Sequence, residues 1–133
     1  MGTQSCVPVK NEWDIVNARQ LGRKMAKDLG FGSVDQARIT TAISELARNI
    51  YLYADYGTIC IETYEDYGKQ GLKIIASDTG PGIKDLRKAM QDGYTTSGGL
   101  GAGLPGVKRL MDDFSIDTKV GEGTEITAIK WLR

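Results

Sequence analysis

Glu45 and Asn49 stand four residues apart in SELARN, a spacing that stacks both side chains on one face of a helix. A carboxylate placed there can polarise a hydroxyl or a water, and an amide oxygen beside it can meet Mg²⁺. Ile39, Ile43, Leu46 and Ile50 make an apolar stripe on the same helix. At about 100° per residue, the Glu45/Asn49 face lies roughly 110° from the middle of that stripe. The pair can therefore flank the core and point into a pocket; a solvated polar face is the plainer alternative. Asp78-Thr79-Gly80-Pro81-Gly82-Ile83 follows a short apolar strand. Its glycines permit a sharp turn and close approach by a flat ligand, and Asp78 can accept a hydrogen bond from an exocyclic amine such as adenine N6. Taken alone, the same residues make an ordinary Asp-Gly/Pro-Gly turn. Gly98-Gly99-Leu100-Gly101-Ala102-Gly103-Leu104-Pro105-Gly106 is a glycine-rich loop opening a helix, where backbone amides suit phosphate.

Other chemistries are excluded. The chain has no histidine, so Ser-His-Asp and Cys-His catalysis and histidine-ligated zinc are impossible on it. A general base must be a carboxylate, lysine or tyrosine. GAGLPG matches G-x-G-x-x-G letter for letter, but the polar DGYTTSGG before it is no strand, so the dinucleotide reading fails. Val107 stands where a P-loop needs lysine. Seventeen basic and seventeen acidic residues balance to zero net charge, which argues against a nucleic-acid binder. No apolar run reaches the ~20 residues of a membrane span, and MGTQSCVPVKNEW has no signal-peptide core, so a cytoplasmic protein is expected. Cys6 and Cys60 lack C-x-x-C spacing, and two buried free thiols in a reducing compartment are the simplest account.

These residues need a scaffold, and the 133 residues supply one domain, 1–133. SCVPVK reads as an edge strand, because Pro8 cannot donate to a ladder. Trp13, Ile15–Val16, Ala18, Leu21, Met25–Ala26 and Leu29 recur at helical intervals, with Asn11 as N-cap and Gly30 as the stop. A second helix begins at Ser33, with Ser33 and Gln36 spaced as a capping box. Thr58 to Tyr64 alternates as a strand, EDYGKQG turns, and LKIIAS is a strand ending at Asp78. A short helix is expected over 85–91, a loop over 93–103 and a helix over 104–111. FSIDTK and TEITAIKWL form a hairpin around VGEG. This order has too few βαβ units for a doubly wound fold. It predicts an α+β two-layer sandwich, a mixed and mostly antiparallel sheet with helices on one face.

A helical E-x-x-x-N, a strand-terminal D-x-G-x-G and a helix-opening G-x-G-x-G, in this order, resemble the N, G1 and G2 boxes of the GHKL (Bergerat-fold) ATPases. Gly121-Glu122-Gly123-Thr124 looks like their further glycine-threonine box. The resemblance spans essentially the whole chain. DQARITTAISELARNIYLYA and TTSGGLGAGLPGVKRLMDDF are most similar to the serine/threonine switch kinases of bacterial stressosome pathways. That likeness implies ATP and Mg²⁺ as cofactors, with Glu45 as catalytic base and Asn49 as Mg²⁺ ligand. It implies Asp78 on adenine supported by Thr124, and Gly80 and Gly82 lining the base pocket. It places Gly99, Leu100, Gly101, Ala102, Gly103 and Leu104 in the lid over the phosphates. It further implies a STAS-domain substrate protein and a phosphatase that the released kinase activates.

One feature departs from the family pattern. No Lys or Arg lies between Lys88 and Lys108, so γ-phosphate charge must meet Mg²⁺, backbone amides, Lys108, Arg109, Arg48 or a group from the partner. Alternatives to the switch kinase are an anti-sigma factor kinase and a non-catalytic, nucleotide-dependent adaptor. Glu45 and Asn49, both intact, favour catalysis over the adaptor.

Overall fold

The structure is a computed structural model that describes residues 4–54, 56–83, 90 and 103–133. Asn11 caps the first helix, α1 (Glu12–Leu29), reciprocally: its side chain accepts from Asp14 N and the Asp14 carboxylate accepts from Asn11 N. Gly30 closes α1 in the left-handed region, φ 110°. The second helix, α2, runs Ser33–Tyr53. It begins at Ser33 as expected, but the capping box is not formed: Gly32 is the cap, and Ser33 is already helical and makes no capping bond. Gln36 instead turns back to donate to Phe31 O at 2.7 Å. Trp13, placed by its spacing with the packed face of α1, is 76% exposed, and Ala18 is the first buried position of that helix.

Five strands follow the order β1-β2-β3-β5-β4: β1 (Gln4–Val9), β2 (Gly57–Asp66), β3 (Lys69–Asp78), β4 (Asp113–Lys119) and β5 (Gly123–Trp131). Every pair among them is antiparallel. Burial alternates along β2, β3 and β5, so one face is apolar and meets the helices. Register lines that face up in rows, with Ile59, Ala76 and Ile126 in one and Ile61, Ile74 and Ala128 in the next. Onto these rows pack Ile39, Ile43, Leu46 and Ile50 of α2, giving the α+β two-layer sandwich that the element order predicts. The last helix, α3 (Gly103–Leu110), packs on α2 through a buried first turn and Val107. The helix expected over 85–91 lies outside the described residues, as does most of the loop expected over 93–103.

The cysteine expectation is overturned. Cys6 and Cys60 are joined in a disulfide, and the chain has no free cysteine. The cause is register: β1 runs antiparallel to β2 with Cys6 directly opposite Cys60, so both side chains leave the same face of the sheet. The bridge closes a loop with a sequence separation of 54, and in the chain-entropy view such a crosslink is worth about 4 kcal/mol. Reduction with dithiothreitol is therefore expected to lower Tm by roughly 10 °C, read by calorimetry. The Cys60→Ser protein should melt at that lower temperature with or without reductant.

Lys130 sits on the buried face of β5, where the strand's alternation demands an inward side chain. Its ammonium donates to Leu110 O at 3.0 Å and lies 3.6 Å from Asp112 and 3.9 Å from Asp35. Burial raises the Asp112 pKa, but the Trp131 N–H, Lys130 and Arg133 outweigh it and hold the carboxyl below its ordinary value. A depressed folded-state pKa stabilises the fold above the usual carboxylate range, and that stabilisation is lost as pH falls through it. Asp112→Asn is accordingly expected to lower Tm at pH 7, with the gap to wild type closing in melts taken down to pH 3.

Candidate functional site

The site is built on one cross-strand row. Val9, Gly57, Asp78, Thr124 and Thr118 are successive partners across all five strands. Partners in antiparallel register share a face, so Asp78, Thr124 and Thr118 stand side by side on the helix side of the sheet. Thr124 is buried, whereas Asp78 and Thr118 are half-buried.

α2 brings its polar pair to this end of the sheet. Ile50 packs on Gly57, where an added Cβ would lie 2.6 Å from Ile50 Cγ2, and Gly57 is the partner of Asp78. Ala54 closes the helix against Gly80, whose added Cβ would come within 2.7 Å of the alanine Cβ. Asn49 is half-buried next to Ile50, and Glu45, one turn earlier, is 4% exposed. A solvated polar face is thereby ruled out for Glu45.

The strand-terminal turn is held from two sides. Asp78 Oδ1 accepts from Gly80 N at 2.9 Å, so one carboxylate oxygen shapes the turn. The β4–β5 hairpin clamps the other side, with Gly121 N donating to Pro81 O at 2.7 Å. Two glycines are required for that approach. Gly82 (φ 77°) would drive a Cβ into Lys119 O, and Gly123 (φ 135°) would drive one into Asp78 O. Sequence reasoning gave Gly82 a place in the base pocket; its close neighbour is the backbone of β4.

Thr118 is the residue that motif reading missed. Its hydroxyl accepts from Ile83 N at 3.0 Å, lies 2.8 Å from Thr124 Oγ1 and reaches Gly123 O at 3.3 Å. A hairpin closed on all four residues of VGEG would pair 118 with 125; the strands close instead on Val120–Glu122, and that one-residue difference in register is what sets Thr118 opposite Thr124.

Gly99, Leu100, Gly101 and Ala102 lie outside the described residues. Gly103 is buried at the start of α3 with φ 70°, and Leu104, 6% exposed, belongs to the hydrophobic core. What those two can offer a ligand is backbone. Lys108 and Arg109 occupy the last turn of α3, at the far end from Gly103. Arg48 is exposed on α2. An open groove of about 410 Å³ lies elsewhere, lined by Ser33, Val34, Ala37, Arg38, Thr41 and Leu110. It carries none of the residues singled out for chemistry.

Residues 34–133 match the family profile of histidine kinase-, DNA gyrase B- and HSP90-like ATPases. The chain belongs to this ATPase family. Within the family it is 74% identical to the serine/threonine-protein kinase RsbT of Bacillus subtilis, over the full length of both chains. It is 30% identical to an anti-sigma F factor of a Thermoanaerobacter species over 102 residues, 72% of this chain and 70% of that one. Solved structures agree on the ATPase fold. The RsbU and RsbW domains of a Mycobacterium tuberculosis protein superpose with TM-score 0.64 at 18% identity, covering 98% of this chain and 32% of that one. The mycobacterial sensor histidine kinase MprB superposes with TM-score 0.53 at 13% identity, covering 97% of each chain. The protein is an ATP-using serine/threonine kinase of this family.

Magnesium fits these residues only as part of a nucleotide complex. Among the described residues, no group of three or more acidic or cysteine side chains forms a cage. Asn49 supplies one hard oxygen, which suits a cation that takes most of its ligands from phosphate and water. Among the described residues, no helix is long and apolar enough to cross a membrane.

Proposed function

We propose that this kinase transfers the γ-phosphoryl group of Mg·ATP to a serine or threonine of a small STAS-domain protein, and that its release lets it activate a partner phosphatase in the cytoplasm. Glu45 accepts the proton of the attacking hydroxyl, and Asn49 would hold Mg²⁺, which would neutralise phosphate charge. The second Asp78 oxygen accepts from the adenine amine, with Thr124 beside it. Gly80 and Gly82 line the base pocket with the turn that they let pack between Ala54 and the Lys119 backbone. The segment Gly99 to Leu104 meets the phosphates through backbone amides.

One arrangement supports this reading: Ile50, next to Asn49 and little more than one turn after Glu45, sits on Gly57, the cross-strand partner of Asp78. A buried carboxylate one helical turn from an amide, on a helix whose end packs on this row, suits a nucleotide with its base at the sheet and its phosphates along α2. The full-length identity to a named serine/threonine kinase supports the choice of hydroxyl acceptor.

Incubation with ATP, Mg²⁺ and a STAS-domain protein, followed by mass spectrometry, tests it. A single phosphorylated serine or threonine on the STAS protein is expected, and none on the kinase. Identity to anti-sigma F factors favours a second reading, in which the bound partner is a sigma factor. Capture of a sigma factor in place of a phosphatase would select it.

A further inference from the structure

The Thr118 hydroxyl has one proton and two acceptor sites, and three groups surround it. Ile83 N can only donate, at 3.0 Å, and Gly123 O can only accept, at 3.3 Å. Thr124 Oγ1, at 2.8 Å, can do either. A single assignment satisfies all three contacts. Thr118 receives from Ile83 N, gives its proton to Gly123 O, and must then receive from Thr124. The Thr124 proton is thereby turned along the sheet toward β4. Toward Asp78, on the other side of the row, Thr124 presents lone pairs only.

This has a consequence for the base edge that the pocket accepts. Given the adenine site of the proposed function, we infer that Thr118 sets purine specificity by holding Thr124 as an acceptor beside the Asp78 carboxylate. Two adjacent acceptors match an exocyclic amine, which has two hydrogens to give. They oppose a 6-oxo group, which has none and whose lone pairs would face theirs. Without the Thr118 hydroxyl, Thr124 is free to swing its proton toward the base and donate to an oxo group. Thr118 touches no part of the nucleotide in this account; it is a positioning residue acting through Thr124.

Inosine triphosphate is the probe, because it differs from ATP only in the 6-oxo group and its ring proton. Dissociation constants for Mg·ATP and Mg·ITP are measured on wild type, Thr118→Val and Thr118→Ser, alongside thermal melts. Wild type should prefer ATP. The valine protein should lose at least about tenfold of that preference, partly through weaker ATP binding and partly through better tolerance of ITP, equivalent to about 1.4 kcal/mol. Serine keeps the hydroxyl and should keep the preference within about twofold, even if its melting temperature falls. A valine protein that discriminates as wild type does, whatever its stability, overturns the inference and leaves the proposed function standing. Wild type that binds no ATP, or binds ATP and ITP alike, overturns the adenine site itself. If the valine protein fails to fold, Thr118→Ala carries the same expectation at this half-buried position on the edge strand β4.

Discussion

Replacing Glu45 by glutamine is expected to lower phosphotransfer by roughly 10²–10⁴-fold, the usual range for a lost general base, with Mg·ATP affinity changed only a few-fold. The two side chains differ little in volume, so the packing around this 4%-exposed position is kept. What is lost is the group that can take a proton from the acceptor hydroxyl. Asn49→Ala should behave differently and weaken Mg·ATP binding as well, because its oxygen is assigned to the cation. Titration calorimetry gives the affinities, and a single-turnover assay gives the chemistry. Undiminished turnover in the glutamine protein would remove Glu45 from the role of base.

Asp78→Asn should lower ATP affinity at least tenfold while leaving a protein partner bound. The amide oxygen can still accept from Gly80 N, as Oδ1 does at 2.9 Å, so the turn survives. The amide nitrogen then occupies the place of the second carboxylate oxygen and faces the adenine amine with another donor. A hydrogen bond to a charged group is worth about 1.5–3 kcal/mol, and the unsatisfied pair adds to that. Each 1.4 kcal/mol is tenfold. Partner surfaces need not include this pocket floor. Circular dichroism establishes the fold, and pull-down beside a phosphorylation assay separates the two activities. Loss of every partner together with ATP would mean that nucleotide occupancy is a condition of recognition.

The parts legible in the sequence were those whose geometry is local. Glu45 and Asn49 share a helix face by spacing alone, and Asp78 ends a strand whose alternation is visible in LKIIAS. The hairpin around VGEG was equally local. What escaped depends on register between distant strands. Cys6 and Cys60 pair because β1 lies against β2 with those two residues opposed, which no spacing of 54 residues announces. Thr118 acts through Thr124 and is itself held by the N–H of Ile83, 35 residues away, a contact that exists only once the strand-terminal turn folds against the hairpin. Lys130 was not singled out, because its partners Asp35 and Leu110 come from helices elsewhere in the chain and only the folded strand turns it inward beside Thr124, Ile126 and Ala128. At the start of α2, Ser33 opens the helix as read but does not cap it, because Gly32 takes the cap's extended geometry.

Titrating Mg²⁺ and a non-hydrolysable ATP analogue into isotope-labelled protein, with amide chemical shifts followed by NMR, tests most directly whether these elements form one nucleotide site. Asn49, Asp78, Gly80, Thr118 and Thr124 are expected to shift together along a single saturation curve. Amides of the groove lined by Val34, Ala37 and Leu110 are expected to move far less. Saturable shifts confined to that groove, with the Asp78–Thr124 row unmoved, would contradict the single nucleotide site.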